Sequence, residues 1–281
     1  MMKRMTRLGV ALGGGGARGL AHLGVLIELL EAGIHPEFVA GTSMGAIVGA
    51  AYAVGQDLPQ LLRVLAHLEL RELLGVGEPF ETMLGRTAVE SLRGRLRRRA
   101  WHEEPSPRLG RMAQFLKLIT KGMWFEDLGI PFVAVAADYV TGEEVRINEG
   151  PVYHGVAASA ALPGLVNPVP WRKRYLVDGG LVNNLPVDVV EAMGARTVLA
   201  VDVRAPLGPP PATLVGATLR FLEIATREVE RVRVERARDR LGDRLLVVHP
   251  DVDEIGVLDF DRLEEAVEAG RECARSTLAR L

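Results

Sequence analysis

Twice within its first 54 residues the chain passes from a short apolar run through a glycine-rich turn into a helix-like segment. The first passage is Arg7-Leu-Gly-Val-Ala-Leu12, then Gly13-Gly-Gly-Gly-Ala-Arg-Gly19, then residues 20–33. In that last segment Leu23, Leu26, Ile27 and Leu30 recur at helical spacing before a glycine stop. The second is Glu37-Phe-Val-Ala-Gly41, then Thr42-Ser-Met-Gly45, then residues 46–54. Two strand–helix units placed so close together call for parallel strands joined by helical crossovers. The expected fold is therefore α/β, a mostly parallel central sheet with helices on both faces.

The rest of the chain continues this alternation, with one interruption. Residues 131–138 predict a buried strand, Thr141-Gly142 a hairpin-like turn, and 144–147 a further strand. A small-residue helix is expected over 156–162 and a strand over 175–177 leading into Asp178-Gly-Gly180. A helix over 186–193, a strand over 196–203, a long charged helix over 213–240, a strand over 245–248 and a closing helix over 259–281 complete the pattern. The whole reads as one domain, 7–281, with a helical cap-like insertion at about 59–125 and a C-terminal helical region at about 212–281.

That insertion is basic: residues 86–121 hold ten Arg or Lys against three Glu. Its plain reading is a helical cap with a solvated charged face. A sharper one makes 86–125 a peripheral membrane surface, cations meeting anionic head groups while Phe115, Leu116, Ile119, Trp124 and Phe125 enter the interface.

A net charge of −2 argues against a nucleic-acid partner, and one cysteine, Cys273, excludes an internal disulfide. No run approaches the roughly 20 apolar residues that span a bilayer. The N-terminal residues lack a signal peptide's apolar core. A cytoplasmic protein is expected, peripheral to the membrane on the sharper reading of the insertion.

Gly41-Thr42-Ser43-Met44-Gly45 between strand and helix has the context of a nucleophile elbow. With 31 Gly and five Ser in 281 residues, G-x-S-x-G arises by chance in roughly 6% of such chains, so the motif needs support elsewhere. The loop Gly14-x-Gly16-x-x-Gly19 fits two chemistries. As a dinucleotide fingerprint it requires an acidic residue at the end of the second strand, where Gly41-Thr-Ser-Met-Gly45 stands instead. As an oxyanion hole its backbone N–H groups face a developing alkoxide, and this is the better fit. Ser43 also needs a base. His249, late in the chain, suits a Ser–Asp–His triad. A carboxylate acting directly is the other solution, and Asp138, Asp178 and Asp202 all follow apolar strands, with Asp178 slightly favoured by the sharp turn that Gly179-Gly180 allows.

Four motifs in register resemble the patatin-like phospholipases, particularly their compact bacterial members. They are Gly14-Gly-Gly-Ala-Arg-Gly19, Gly41-Thr-Ser-Met-Gly45, Ala158-Ser-Ala-Ala-Leu-Pro-Gly164 and Val177-Asp-Gly-Gly-Leu-Val-Asn-Asn-Leu-Pro186. The resemblance covers residues 7 to 203 and implies the three-layer fold of that family. It implies Ser43 as nucleophile, Asp178 as general base, and the N–H groups of Gly14, Gly15 and Gly16 as the oxyanion hole. The Met44 N–H is a physical addition, as the residue after the nucleophile. Arg18, Gly19, Gly41, Gly45, Gly179 and Gly180 support these motifs. For Arg18 the family's role and simple anchoring of the loop stand equal, and Ser159 is not a second nucleophile. No metal or cofactor is implied, and no added regulatory domain is recognisable.

The expected function is a serine acyl hydrolase acting on lipid or lysolipid esters. Two other classes stay open: a non-catalytic lipid-binding or regulatory protein of the same fold, and a nucleotide-binding protein using the glycine loop.

Overall fold

The computed structural model describes residues 7–74, 107–162, 166–208 and 214–279. Both strand–turn–helix units form where the glycine turns are expected. β1 (Leu8–Leu12) leads through a 3-10 turn, Gly16–Leu20, into α1 (Ala21–Glu31), and β2 (Phe38–Thr42) leads into α2 (Met44–Ala53). The insertion opens with α3 (Leu58–Leu65), capped by the Asp57 carboxylate on the Gln60 N–H, and a short α4 (Leu70–Leu73). There follow α5 (Pro107–Ile119), β3 (Phe132–Asp138), β4 (Glu144–Ile147), α6 (Val152–Ser159), β5 (Val169–Trp171) and β6 (Arg174–Asp178). The chain closes with α7 (Val187–Ala192), β7 (Thr197–Val201), α8 (Leu214–Leu241), β8 (Leu245–Val248) and α9 (Leu263–Leu278).

Among the described residues the strands form one eight-stranded sheet, ordered β5-β6-β3-β2-β1-β7-β8 with β4 also paired to β3. The run from β3 to β8 is parallel, while β4 and β6 pair antiparallel with β3 and β5 pairs antiparallel with β6. Alternation along the strands builds two cores. Leu8, Val10, Leu12, Val39, Ala134 and Ala136 belong to the core shared with α1, α2, α6 and α9. Ala11, Ala40, Val133, Val135, Val198 and Ala200 belong to the opposite core, closed by α7 and α8. Helices thus cover both faces, which is why the strands read as continuous apolar runs.

The insertion corrects one expectation. Phe115, Leu116, Ile119 and Phe125 are buried in the core, Phe125 stacked on Phe132 of β3, so they are not free to enter a lipid interface. Only Trp124 of the five is exposed, at 53%. Those four side chains pack inside the protein, while Leu118 and Trp124 stay exposed; residues 86–106 of the proposed membrane surface lie outside the described residues.

β3 is what brings distant parts of the chain together. Ala134 pairs with Gly41 of β2 and with Ile147 of β4, so these two strands occupy opposite edges. Ala136 pairs with Val145 of β4 and with Asp178 of β6, which puts β6 on the edge that β2 uses. β2 ends there with Thr42 opposite Val135, and the last residue of β6, Asp178, sits opposite the next position, Ala136. Ser43 follows Thr42, so the elbow and the β6 carboxylate converge.

Candidate active site

Ser43 occupies a conformation that L-residues seldom adopt, φ 55° and ψ −122°, and caps the N-terminus of α2. Strain of this kind costs about 1–3 kcal/mol and persists only where the surroundings impose it. Here they do. A methyl group at Gly41 would stand 2.3 Å from the Gly45 carbonyl oxygen, and one at Gly45 would stand 2.1 Å from the Leu12 carbonyl oxygen. The elbow is closed so tightly against β1 that only glycine fits either position.

From below, the elbow is held by Ser159 of α6. This buried hydroxyl donates to the Val135 carbonyl at 2.5 Å and accepts from the Ser43 N–H at 3.0 Å. Both its functions are spent on positioning. The role was hidden in sequence because the motif holding Ser159 is a run of small helical residues whose partners lie on β3 and the elbow.

The Asp178 carboxyl is buried and lies beside Ser43, near enough for the hydroxyl to influence its ionisation. Its Oδ1 accepts from the Gly180 N–H at 2.8 Å. Burial dominates and pushes Asp178 up to about 6, while the neighbouring Ser43 hydroxyl and the Gly180 N–H draw it partly back. The other two candidate aspartates are engaged elsewhere. Asp138 accepts from the Val140 and Thr141 N–H groups and pairs with Arg174. Asp202 pairs with Arg204 and, at 3.4 Å, with the His249 ring. His249 follows β8, three strands from β2, a separation of roughly 14 Å at the usual strand spacing, and its side chain is 60% exposed.

The glycine loop lies against the elbow. A methyl at Gly14 would come within 3.1 Å of Ser43 Cβ. The loop departs from expectation at one donor: the Gly14 N–H is given to the Asn184 carbonyl at 3.2 Å. Among the described residues the N–H groups of Gly15, Gly16 and Met44 have no hydrogen-bond partner. Gly14 therefore supplies room beside Ser43, and the free donors are the next two amides and the first of α2. Arg18 Nε donates to the Ile255 carbonyl at 2.6 Å, which ties the loop to the segment before α9. His22, fully buried and pushed down to about 4 chiefly by burial, is neutral at pH 7 and bonds the Gly13 carbonyl through Nε2 at 2.7 Å.

Behind the loop stands Asn184, whose Nδ2 donates to the Gly14 carbonyl at 3.2 Å and to Glu230 of α8 at 3.0 Å. Neither residue stands out in the sequence as part of the site. Asn184 is visible only as part of the run after Asp178, and Glu230 only as one of many charges on a long helix. Among the described residues no cluster of three or more His, Cys, Asp or Glu side chains is arranged to hold a metal ion. No helix among them is long and apolar enough to cross a membrane.

Fold and site together define an α/β protein carrying a serine elbow that faces a buried carboxylate beside a glycine loop. A family model described as patatin-like phospholipase matches residues 10–190. An uncharacterized NTE family protein of Mycobacterium tuberculosis is 33% identical over 290 aligned residues, covering 96% of this chain and 46% of that protein. Patatin-like phospholipase domain-containing protein 7 of Rattus norvegicus is 29% identical, covering 94% of this chain and 20% of that protein. Among solved structures, VipD from Legionella pneumophila matches with a TM-score of 0.53 at 16% identity, covering 97% of this chain and 66% of that one. The chain belongs to the patatin-like phospholipase family, and its fold is patatin-like. It spans just under half the length of the mycobacterial relatives it matches.

Proposed function

We propose that the protein is a serine acyl hydrolase that cleaves lipid acyl esters with a Ser43–Asp178 dyad. The observation that carries this reading is the strained Ser43 elbow set beside the buried Asp178 carboxyl by the register of β2 and β6 on β3. Ser43 Oγ attacks the acyl carbonyl carbon as its proton passes to Asp178. The carbonyl oxygen, now an alkoxide, is met by the N–H groups of Gly15, Gly16 and Met44 at the N-terminus of α2. Collapse of the tetrahedral intermediate expels the alcohol, which takes the proton from Asp178. Water, deprotonated by the same carboxylate, then clears the acyl-enzyme. A carboxylate titrating near 6 is a stronger base than an ordinary aspartate, which offsets the absence of an imidazole.

The surroundings favour a lipid acyl chain. An apolar pocket is lined by Leu20, Met44, Ile47, Val48, Leu65 and Phe115 with other apolar side chains, and Met44 follows Ser43 in the chain. Membership of a family described as patatin-like phospholipase supports the same substrate class.

Two measurements test this. A fluorophosphonate probe is expected to label Ser43 and no other serine, and the wild-type protein is expected to release fatty acid from a phospholipid and lysophospholipid panel. Failure of both would sink the hydrolase reading and favour a lipid-binding protein of the same fold. The pH dependence follows from the direction of the Asp178 shift. Only the deprotonated carboxylate accepts a proton, so kcat/KM is expected to rise tenfold per pH unit up to about 6 and level off above it. A profile flat down to pH 4.5 would remove Asp178 as the base.

A further inference from the structure

Glu230 is a buried carboxylate near the site for which the dyad has no use. It lies on α8, beyond the residues matched by the family model, and is 1% exposed. Burying a charge this deeply contributes little to stability compared with an apolar side chain of similar size. Its contacts lead to the glycine loop. Glu230 Oε2 accepts from Asn184 Nδ2 at 3.0 Å, and the same nitrogen donates to the Gly14 carbonyl at 3.2 Å. The Asn184 main-chain carbonyl closes the circle by accepting from the Gly14 N–H at 3.2 Å.

Asn184 is also wedged between the two halves of the site. Its Oδ1 stands 2.6 Å from where a methyl on Gly14 would be, and 3.0 Å from where one on Gly180 would be. Gly180 is the residue whose N–H bonds Asp178. Glu230 is itself fixed from the other side by Arg204, whose Nη2 meets Oε1 at 2.5 Å and which also pairs with Asp202.

We infer that Glu230 is a positioning residue for the oxyanion loop, acting through the side chain of Asn184. The inference rests on the acyl-hydrolase reading. Glu230 touches no reacting atom. It fixes the Asn184 amide so that the peptide groups following Gly14 point their N–H bonds at the space beside Ser43. Without that acceptor the amide is free to turn, and the loop loses the bond that sets its distance from the elbow. A displacement of about 1 Å at such donors is enough to cost on the order of 100-fold in rate.

The test is a kinetic cycle on the full chain with a soluble ester. Glu230→Met, close in volume and unable to accept the bond, is expected to lower kcat by about 10- to 100-fold with KM changed less than about twofold. Glu230→Gln, whose carbonyl can accept the same N–H, is expected to stay within about threefold of wild type. Asn184→Ala and the double variant Asn184→Ala with Glu230→Met are expected to share one kcat within about twofold, because the two residues act in series. Wild-type kcat in Glu230→Met, an equal loss in Glu230→Gln, a loss confined to KM, or multiplying effects in the double variant would each overturn the inference. Should Glu230→Met not fold, Glu230→Asp keeps the charge and withdraws it by one methylene. A loss of about fivefold in kcat is then expected, and none would count against the proposal. Absence of ester turnover in the wild-type protein, by contrast, overturns the hydrolase reading and this inference with it.

Discussion

Replacing Ser43 by Ala or Asp178 by Asn is expected to lower ester turnover by about 10⁴-fold or more, whereas His249→Ala stays within about twofold of wild type. The geometry sets the contrast. Asp178 lies beside Ser43 through the shared register on β3, while His249 is exposed and faces Asp202 across a different part of the sheet edge. Near-normal turnover in Asp178→Asn, or its loss in His249→Ala, would replace the dyad by a triad.

The Asp178→Asn variant carries a second expectation, with the sign fixed by linkage. Asp178 is raised from 3.8 to about 6 in the folded chain, so between those values the native state holds more protons than the unfolded state. Native stability therefore falls as pH rises through that window and stays lowered above it. Asn cannot ionise and escapes this loss. The variant is expected to be more stable than wild type at pH 8, by about 2–3 kcal/mol, with the difference shrinking towards pH 4. Urea melts at the two pH values measure it, and a variant less stable than wild type at pH 8 would show that the buried carboxylate is not destabilising.

The second large effect concerns the fold. Gly45→Ala places a methyl 2.1 Å from the Leu12 carbonyl oxygen and 2.8 Å from that of Gly13, both main-chain atoms of the β1 turn. Neither can yield without moving the strand or the oxyanion loop. A loss of about 3–5 kcal/mol is expected, read as a lowered urea midpoint at unchanged slope. A midpoint equal to wild type would mean that elbow and loop are not in contact. Gly41→Ala meets the Gly45 carbonyl oxygen at 2.3 Å and is expected to behave alike.

Much of this was legible in the sequence because its signals are local. A strand that empties into glycines and then a helix declares itself over twenty residues, and two such units already imply parallel strands. The expected strands at 131–138, 144–147 and 245–248 form within a residue of those bounds, since burial on two faces leaves an unbroken apolar run. β5 was not legible: its three residues include a proline and carry no periodicity.

The site divides the same way. The elbow, the glycine loop and the carboxylates at strand ends could each be named from the chain. The choice among Asp138, Asp178 and Asp202 by residue pattern alone stayed nearly even, because each follows an apolar strand. Their difference is a matter of register across β3, which joins residues more than 40 positions apart. The fate of the Gly14 N–H, the support from Ser159 and the chain from Glu230 through Asn184 are likewise long-range hydrogen bonds. The same holds for Phe115, Leu116, Ile119 and Phe125: an apolar side chain reads alike whether it meets a core or a membrane. Local pattern determined which elements form and which residues could react. Tertiary packing alone decided which of those residues meet, because burial and register depend on partners that the local sequence does not contain.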